Sequence, residues 1–204
     1  MEKAEAASHL LEKVEQTAKI RFIASRRLLS HQRFSSWVVA LASFALMLLP
    51  LLETTGATQA DQKGRLVTLQ VLLAGFVLIY SLLLSLENFS VRAEKMQSAG
   101  VELSILARQI EQAVSAGTWN QIAERVAERY GDILRTSDNH TYTDYLLHKV
   151  QKKEKYFVGK TSSFYRTYCS IAARSFFSYL HYLIFLAVLC GVLFYIAGLY
   201  STSS

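Results

Sequence analysis

Residues 66–86 read LVTLQVLLAGFVLIYSLLLSL, 21 positions without a charge. A helix of that length, at about 1.5 Å of rise per residue, spans roughly the 30 Å of a bilayer's hydrocarbon core. The segment is therefore expected to cross a membrane. On its amino-terminal side a polar connector, Glu53 to Arg65 with Gly56 and Gly64, separates it from an earlier uncharged run, Phe34 to Leu52. Two such runs joined by a short polar connector predict a helical hairpin, with spans over 34–52 and 66–88. Pro50 falls in the last turn of the first run, where the carbonyls it frees reach interfacial water. A third uncharged run, Phe176 to Tyr200, carries Tyr179 and Tyr182 near one end and Tyr195 and Tyr200 near the other, as interfacial aromatic belts do.

Composition agrees with this reading. Of 204 residues 51% are hydrophobic and only 19% charged, with a single proline, and mean hydropathy is +0.21; soluble enzymes carry nearer a quarter charged residues. A cleaved signal peptide is not expected, because a charged, helix-patterned segment of more than thirty residues precedes the first apolar run. Cys169 and Cys190 form neither a metal-binding pair nor a disulfide framework. Net charge is +6, and the lysines and arginines lie beside the apolar runs: seven in 1–33, two in 53–65 and thirteen in 87–175. By the positive-inside rule the amino terminus and the long middle segment face the cytoplasm, and the connector and carboxyl terminus face outward. Basic residues placed this way point to membrane orientation, and no direct nucleic-acid binding is expected. The fold class is all-α membrane protein: a transmembrane helical hairpin with long cytosolic helical extensions plus a C-terminal third transmembrane helix. It divides into a cytosolic amphipathic helix (1–33), the hairpin (34–89), a cytosolic helical domain (90–175), the third span (176–200) and a short tail (201–204).

The cytosolic stretches carry helical periodicity. In 2–33, Leu10, Leu11, Val14, Ala18, Ile20, Phe22, Ala24 and Leu28 recur at threes and fours, which predicts an amphipathic helix entering the membrane. Arg21, Arg26, Arg27 and Arg33 near its end read as topological anchors in contact with anionic lipid, or as a site for a small anionic ligand such as a nucleotide. The second span is expected to continue into the cytosol, since Leu103, Ile105, Leu106, Ile110 and Val114 keep helical spacing up to Ala116-Gly117. Thr118 with Gln121 predicts a capping box for the next helix, whose apolar face is Ile122, Val126, Ile133 and Leu134. Asp138 is expected to cap a segment with Tyr142, Tyr145, Leu146 and Val150. Lys149, Lys152, Lys153, Lys155 and Lys160 then make a basic approach to the third span, suited to anionic lipid or ligand.

No catalytic constellation emerges. His140 and His148 lie near Asp138 and Asp144, but there is no HExxH, no Walker or dinucleotide loop and no GxSxG. The expectation is a protein that is not an enzyme and needs no metal or cofactor. Polar groups inside the membrane do form a pattern: Gln70, Ala74, Val77, Ser81, Ser85 and Asn88 make one stripe along the second span, ending beside Glu87. Two readings stand. Small and polar residues support close helix packing, or, in an oligomer, each copy offers the stripe to a shared aqueous lumen with Glu87 near its inner mouth. On the third span Ala187, Gly191 and Gly198 form a small-residue face suited to assembly.

Three stretches carry a likeness to a known family: Arg21-Phe-Ile-Ala-Ser-Arg-Arg27, Glu87-Asn-Phe-Ser-Val-Arg-Ala-Glu94, and Tyr130-Gly-Asp-Ile-Leu134 followed by Asn139-His140 and Asp144-Tyr145. Placed in this order around the hairpin, they resemble the SLATT family of bacterial membrane proteins, in a subfamily covering almost the whole chain. The resemblance implies an inner-membrane effector of bacterial conflict systems, encoded near nucleotide second-messenger synthases or nucleotide sensors and proposed to form pores in infected cells. It brings no catalytic residue set. The expected function is self-association in the membrane after an intracellular trigger, with the bilayer and further copies as partners. A nucleotide second messenger or a soluble sensor protein encoded nearby is the candidate trigger. The alternative is a non-conducting scaffold that recruits a soluble partner through its cytosolic helices. An unrecognised membrane enzyme is a third reading, for which His140, Asp144 and His148 are the first residues to substitute.

Overall fold

A computed structural model describes residues 2–54, 60–159 and 161–201. Among the described residues there is no strand. Seven helices follow in order: α1 (Glu2–Thr54), α2 (Ala60–Leu86), α3 (Phe89–Ser115), α4 (Trp119–Thr136), α5 (Tyr142–Gln151), α6 (Lys153–Tyr156) and α7 (Thr161–Ser201). Three stretches of helix are long and apolar enough to cross a membrane: within α1, within α2 and its continuation, and within α7. The protein is a helical membrane protein. The chain forms two compact units, one of residues 1–30 and 89–175, the other of 31–88 and 176–204.

The second unit holds the apolar segments. Its core is a stripe from each of three helices: Val38, Ala42, Ala45 and Leu49 of α1, Leu66, Leu73 and Val77 of α2, and Tyr182, Phe185 and Leu189 of α7. The spacings of three and four are those of one helix face. Outside this core the surface is apolar as well, with Trp37, Leu72, Leu78, Leu86 and Phe194 among its exposed side chains. Such a surface is stable only in lipid. Lipid is as apolar as these side chains, so packing, not exclusion from water, holds the three helices together. Aromatic contacts contribute: Tyr80 stacks on Phe185 at 4.4 Å and His31 on Tyr179 at 4.3 Å.

The first unit is built on α1, α3 and α4. Val14 and Ala18 pack with Ala99, Leu103, Leu106, Ile110, Val126 and Ile133, flanked by Trp119, Ile122 and Tyr130. A second group, Ala24, Leu28, Ala93 and Met96, extends the contact between α1 and α3. The helices approach closely at Gly100, where an added Cβ would lie 2.9 Å from the Phe22 ring. Ile105 and Val114, expected on the apolar face of α3, are instead exposed.

Three local expectations are corrected. The second span does not run on unbroken, because α2 ends at Leu86 and Asn88 adopts φ 48 before α3 starts. Asparagine tolerates this left-handed conformation better than most residues, and its side-chain amide donates to the Leu86 carbonyl at 3.2 Å. Thr118 does not cap α4 through its side chain; its amide instead donates to the Ala113 carbonyl at 2.9 Å, closing α3 around Gly117 at φ 70. The residue before α5 is Thr141, not Asp138. Asp138 pairs with Arg92 at 3.3 Å.

Candidate functional site

The structure separates the expected site residues into two places. In the transmembrane unit the α2 stripe lies along the edge of the three-helix core. Val77 is buried within it, Gln70 and Ser81 are half-buried, and Ala74, Ser85, Glu87 and Asn88 are exposed. At 100° per residue, the stripe is turned roughly 60° from the line Leu66, Leu73, Val77 and Leu84 that meets the other helices. The helix itself satisfies part of this polarity: the Ser81 hydroxyl donates to the Val77 carbonyl at 2.7 Å. On α7, Ala187, Gly191 and Gly198 are all exposed, and nothing approaches a Cβ built on either glycine within 4 Å. This small-residue face is exposed on α7, and none of its three residues belongs to the three-helix core.

The other place is a buried polar cluster in the first unit. α1 brings Arg21 and Ser25 into the interior, each 1% exposed. Arg21 Nη1 points at the Met96 sulfur at 3.3 Å, and Ser25 donates to Gln97 Oε1 at 3.3 Å. Arg21 is therefore an interior residue and not the surface lipid contact its basic neighbourhood suggests. Its Nε is buried without a hydrogen-bond partner among the described residues, while Tyr130, Asp138 and Asp144 act on the guanidinium electrostatically. One turn and a half along α1, Arg27 grips Asp144, Nε to Oδ1 at 2.8 Å and Nη2 to Oδ2 at 3.2 Å. The Thr141 amide and hydroxyl both donate to the same Oδ2, at 2.9 and 2.7 Å. Asp144 is fully buried, and these four donors satisfy its charge. This clasp joins α1 to the start of α5.

The two histidines lie on either side of the clasp. Burial holds the His140 ring below the usual imidazole value, reinforced by the Arg21 cation and opposed by Asp144. His148 is lowered too, by burial first and then by Lys152, Lys19 and Lys155. Among the described residues no three histidines, cysteines or acidic residues come together as metal ligands would. Of the other basic residues, Arg26, Arg33 and Lys152 are exposed, and Lys155 is paired with Glu12. The side chain of Lys153, and Lys160 altogether, lie outside the described residues.

The short stretches that stood apart in the sequence thus come together. Arg21 and Arg27, Arg92, Tyr130, His140 and Asp144 all belong to one unit and to one set of hydrogen bonds, ion pairs and electrostatic contacts. The model of SMODS and SLOG-associating 2TM effector domain family 5 matches residues 3–197, nearly the full chain. The chain belongs to this SLATT family. No curated protein and no solved structure matches it. The SLATT match takes in α1, α2 and nearly all of α7, so the third apolar helix lies inside the effector domain, although the family description counts two transmembrane helices.

Proposed function

We propose that this SLATT protein self-associates in the bacterial inner membrane and permeabilises it after an intracellular trigger, as the effector of an antiphage or nucleotide-signalling defence system. In this reading the amino terminus and residues 90–175 are cytoplasmic, the carboxyl terminus is outside, and the chain is not an enzyme. One observation carries it: the polar flank of α2, with Gln70, Ser81, Ser85 and Asn88, lies at the edge of the three-helix core and not within it. A flank left facing lipid is costly for an amide side chain, and further copies around a shared axis relieve that cost by hydrating it. The outward small-residue face of α7 supports close approach between copies.

The test is membrane potential in cells expressing the protein inducibly beside its genomic neighbours, with Ser81→Leu/Ser85→Leu at matched membrane abundance. Depolarisation and dye entry with the unaltered protein but not with the double variant support the reading. Growth arrest without depolarisation in both refutes it and favours a scaffold acting through the cytosolic helices.

A further inference from the structure

A small cavity between α1 and the α5–α6 segment has no part in the function proposed above. Its volume is about 100 Å³, enough to admit a compact tetrahedral oxyanion. Its walls are strongly polar. Glu12, Glu15 and Gln16 come from α1, and His148, Lys152 and Lys155 face them from the other side. Both carboxylates already have cations: Glu12 pairs with Lys155, and Glu15 pairs with Lys19 at 3.5 Å. Lys152 forms no ion pair within 4 Å among the described residues and acts on Glu12 at longer range, so three ammoniums, Lys19, Lys152 and Lys155, stand against two carboxylates and leave one positive charge in excess. His148 stands one helical turn earlier, linked through the Lys152 amide to the His148 carbonyl at 3.1 Å. Its ring lines the cavity while the residue is only 2% exposed, and Tyr156 meets it edge-on at 6.3 Å. A nearly buried ring that lines a polar cavity with one ammonium in excess is a built site for a negative group.

We propose that this cavity binds a phosphoryl group, held by the Lys152 ammonium and a His148 ring N–H. A dianion there also competes with Glu12 for Lys155, so occupancy loosens one tie between α1 and α6. The site stands on the cytosolic unit alone and holds whether or not the transmembrane unit conducts.

The test uses the full chain in lipid nanodiscs, titrated calorimetrically with inorganic phosphate at constant ionic strength. The expected result is saturable binding that sulfate displaces and chloride does not. Lys152→Gln weakens it at least tenfold, and Lys95→Gln, at another surface lysine, leaves it unchanged. His148 ring signals in NMR titrate at higher pH when phosphate is present, a change that a merely structural lysine would not produce. Because Lys152 is exposed, its substitution leaves the fold intact, and thermal unfolding confirms this. Nanodiscs containing phosphatidic acid separate the sources. Unchanged phosphate uptake identifies a soluble phosphoryl ligand, and suppressed uptake identifies a lipid headgroup occupying the same site. Absence of saturation at millimolar phosphate, or equal binding by Lys152→Gln, overturns the proposal.

Discussion

Arg27→Ala should destabilise the unit of residues 1–30 and 89–175 far more than loss of a surface arginine, because it strands a carboxylate that no water reaches. Asp144 has no exposed side-chain surface, and the Arg27 side chain is 24% exposed. Removing one partner of a fully buried pair costs about 3–5 kcal/mol. Partial exposure of Arg27 lowers this, as do the two Thr141 donors that remain, leaving about 2–3 kcal/mol. With a urea slope of about 2 kcal/mol/M, the midpoint falls by about 1–1.5 M. Trp119 packs beside the core of this unit, so its fluorescence in a Trp37→Phe background reports unfolding in micelles. Arg26→Ala is the control, since Arg26 is exposed and its side chain donates to the Phe22 carbonyl of its own helix at 3.4 Å. Asp144→Ala and the double variant complete a thermodynamic cycle, whose coupling is expected to exceed about 1 kcal/mol. If Arg27→Ala shifts the midpoint no more than Arg26→Ala does, or if the cycle is additive, the clasp does not hold α5 to α1.

Acid should weaken the same unit. His140 and His148 are both held below the usual imidazole value, by burial first, so the folded unit binds fewer protons than the unfolded chain once pH drops below about 6.5. Stability is complete above that value and declines as pH falls through it, by up to about 1.4 kcal/mol per pH unit per histidine; urea midpoints from pH 7.5 to 5.5 measure the slope, which His140→Gln/His148→Gln should flatten. At Asn88, φ 48 predicts that Asn88→Gly is tolerated, whereas Asn88→Ile costs about 1–2 kcal/mol in the same assay. Gly100→Val forces the Phe22 ring to move, since even a Cβ would lie 2.9 Å from it. A loss of about 1–3 kcal/mol is expected, relieved in part by Phe22→Leu.

The three spans were legible because an uncharged run is a one-dimensional signal: length alone decides whether it crosses a bilayer. The packing faces of α1, α3 and α4 were partly legible for a similar reason, since spacing reports which residues share a face. What spacing does not report is which face a neighbour covers. Ile105 and Val114 share helical spacing with the core residues of α3, yet lie outside the surface that α1 and α4 cover. The interior place of Arg21 had a usable signal. Val14, Ala18, Arg21, Ser25 and Leu28 follow one another by four, three, four and three, and all five are buried. Read by residue type, Arg21 joined the basic cluster, whereas read by position it belongs to the core stripe. Its neighbour Met96 lies 75 residues away, and no local pattern announces such a contact. Likewise Ser137, Asp138, Asn139 and Thr141 are all competent helix caps, and the choice among them depends on Arg27 reaching Asp144 and Arg92 reaching Asp138.

The left-handed residue between α2 and α3 also bears on how this chain can change length. α1 is continuous helix from Glu2 to Thr54, and α7 from Thr161 to Ser201. One residue inserted into either rotates everything beyond it by about 100°, moving the following stripe off its partners. Only insertions near whole multiples of the helical repeat, about seven residues for two turns, preserve both stripes of α1. The Glu87-Asn88 turn carries no such phase, because its backbone has already left the helix. Extra residues are absorbed there as a longer loop. Length variation is therefore expected to collect at this turn, and α1 and α7 to vary in sequence while keeping count.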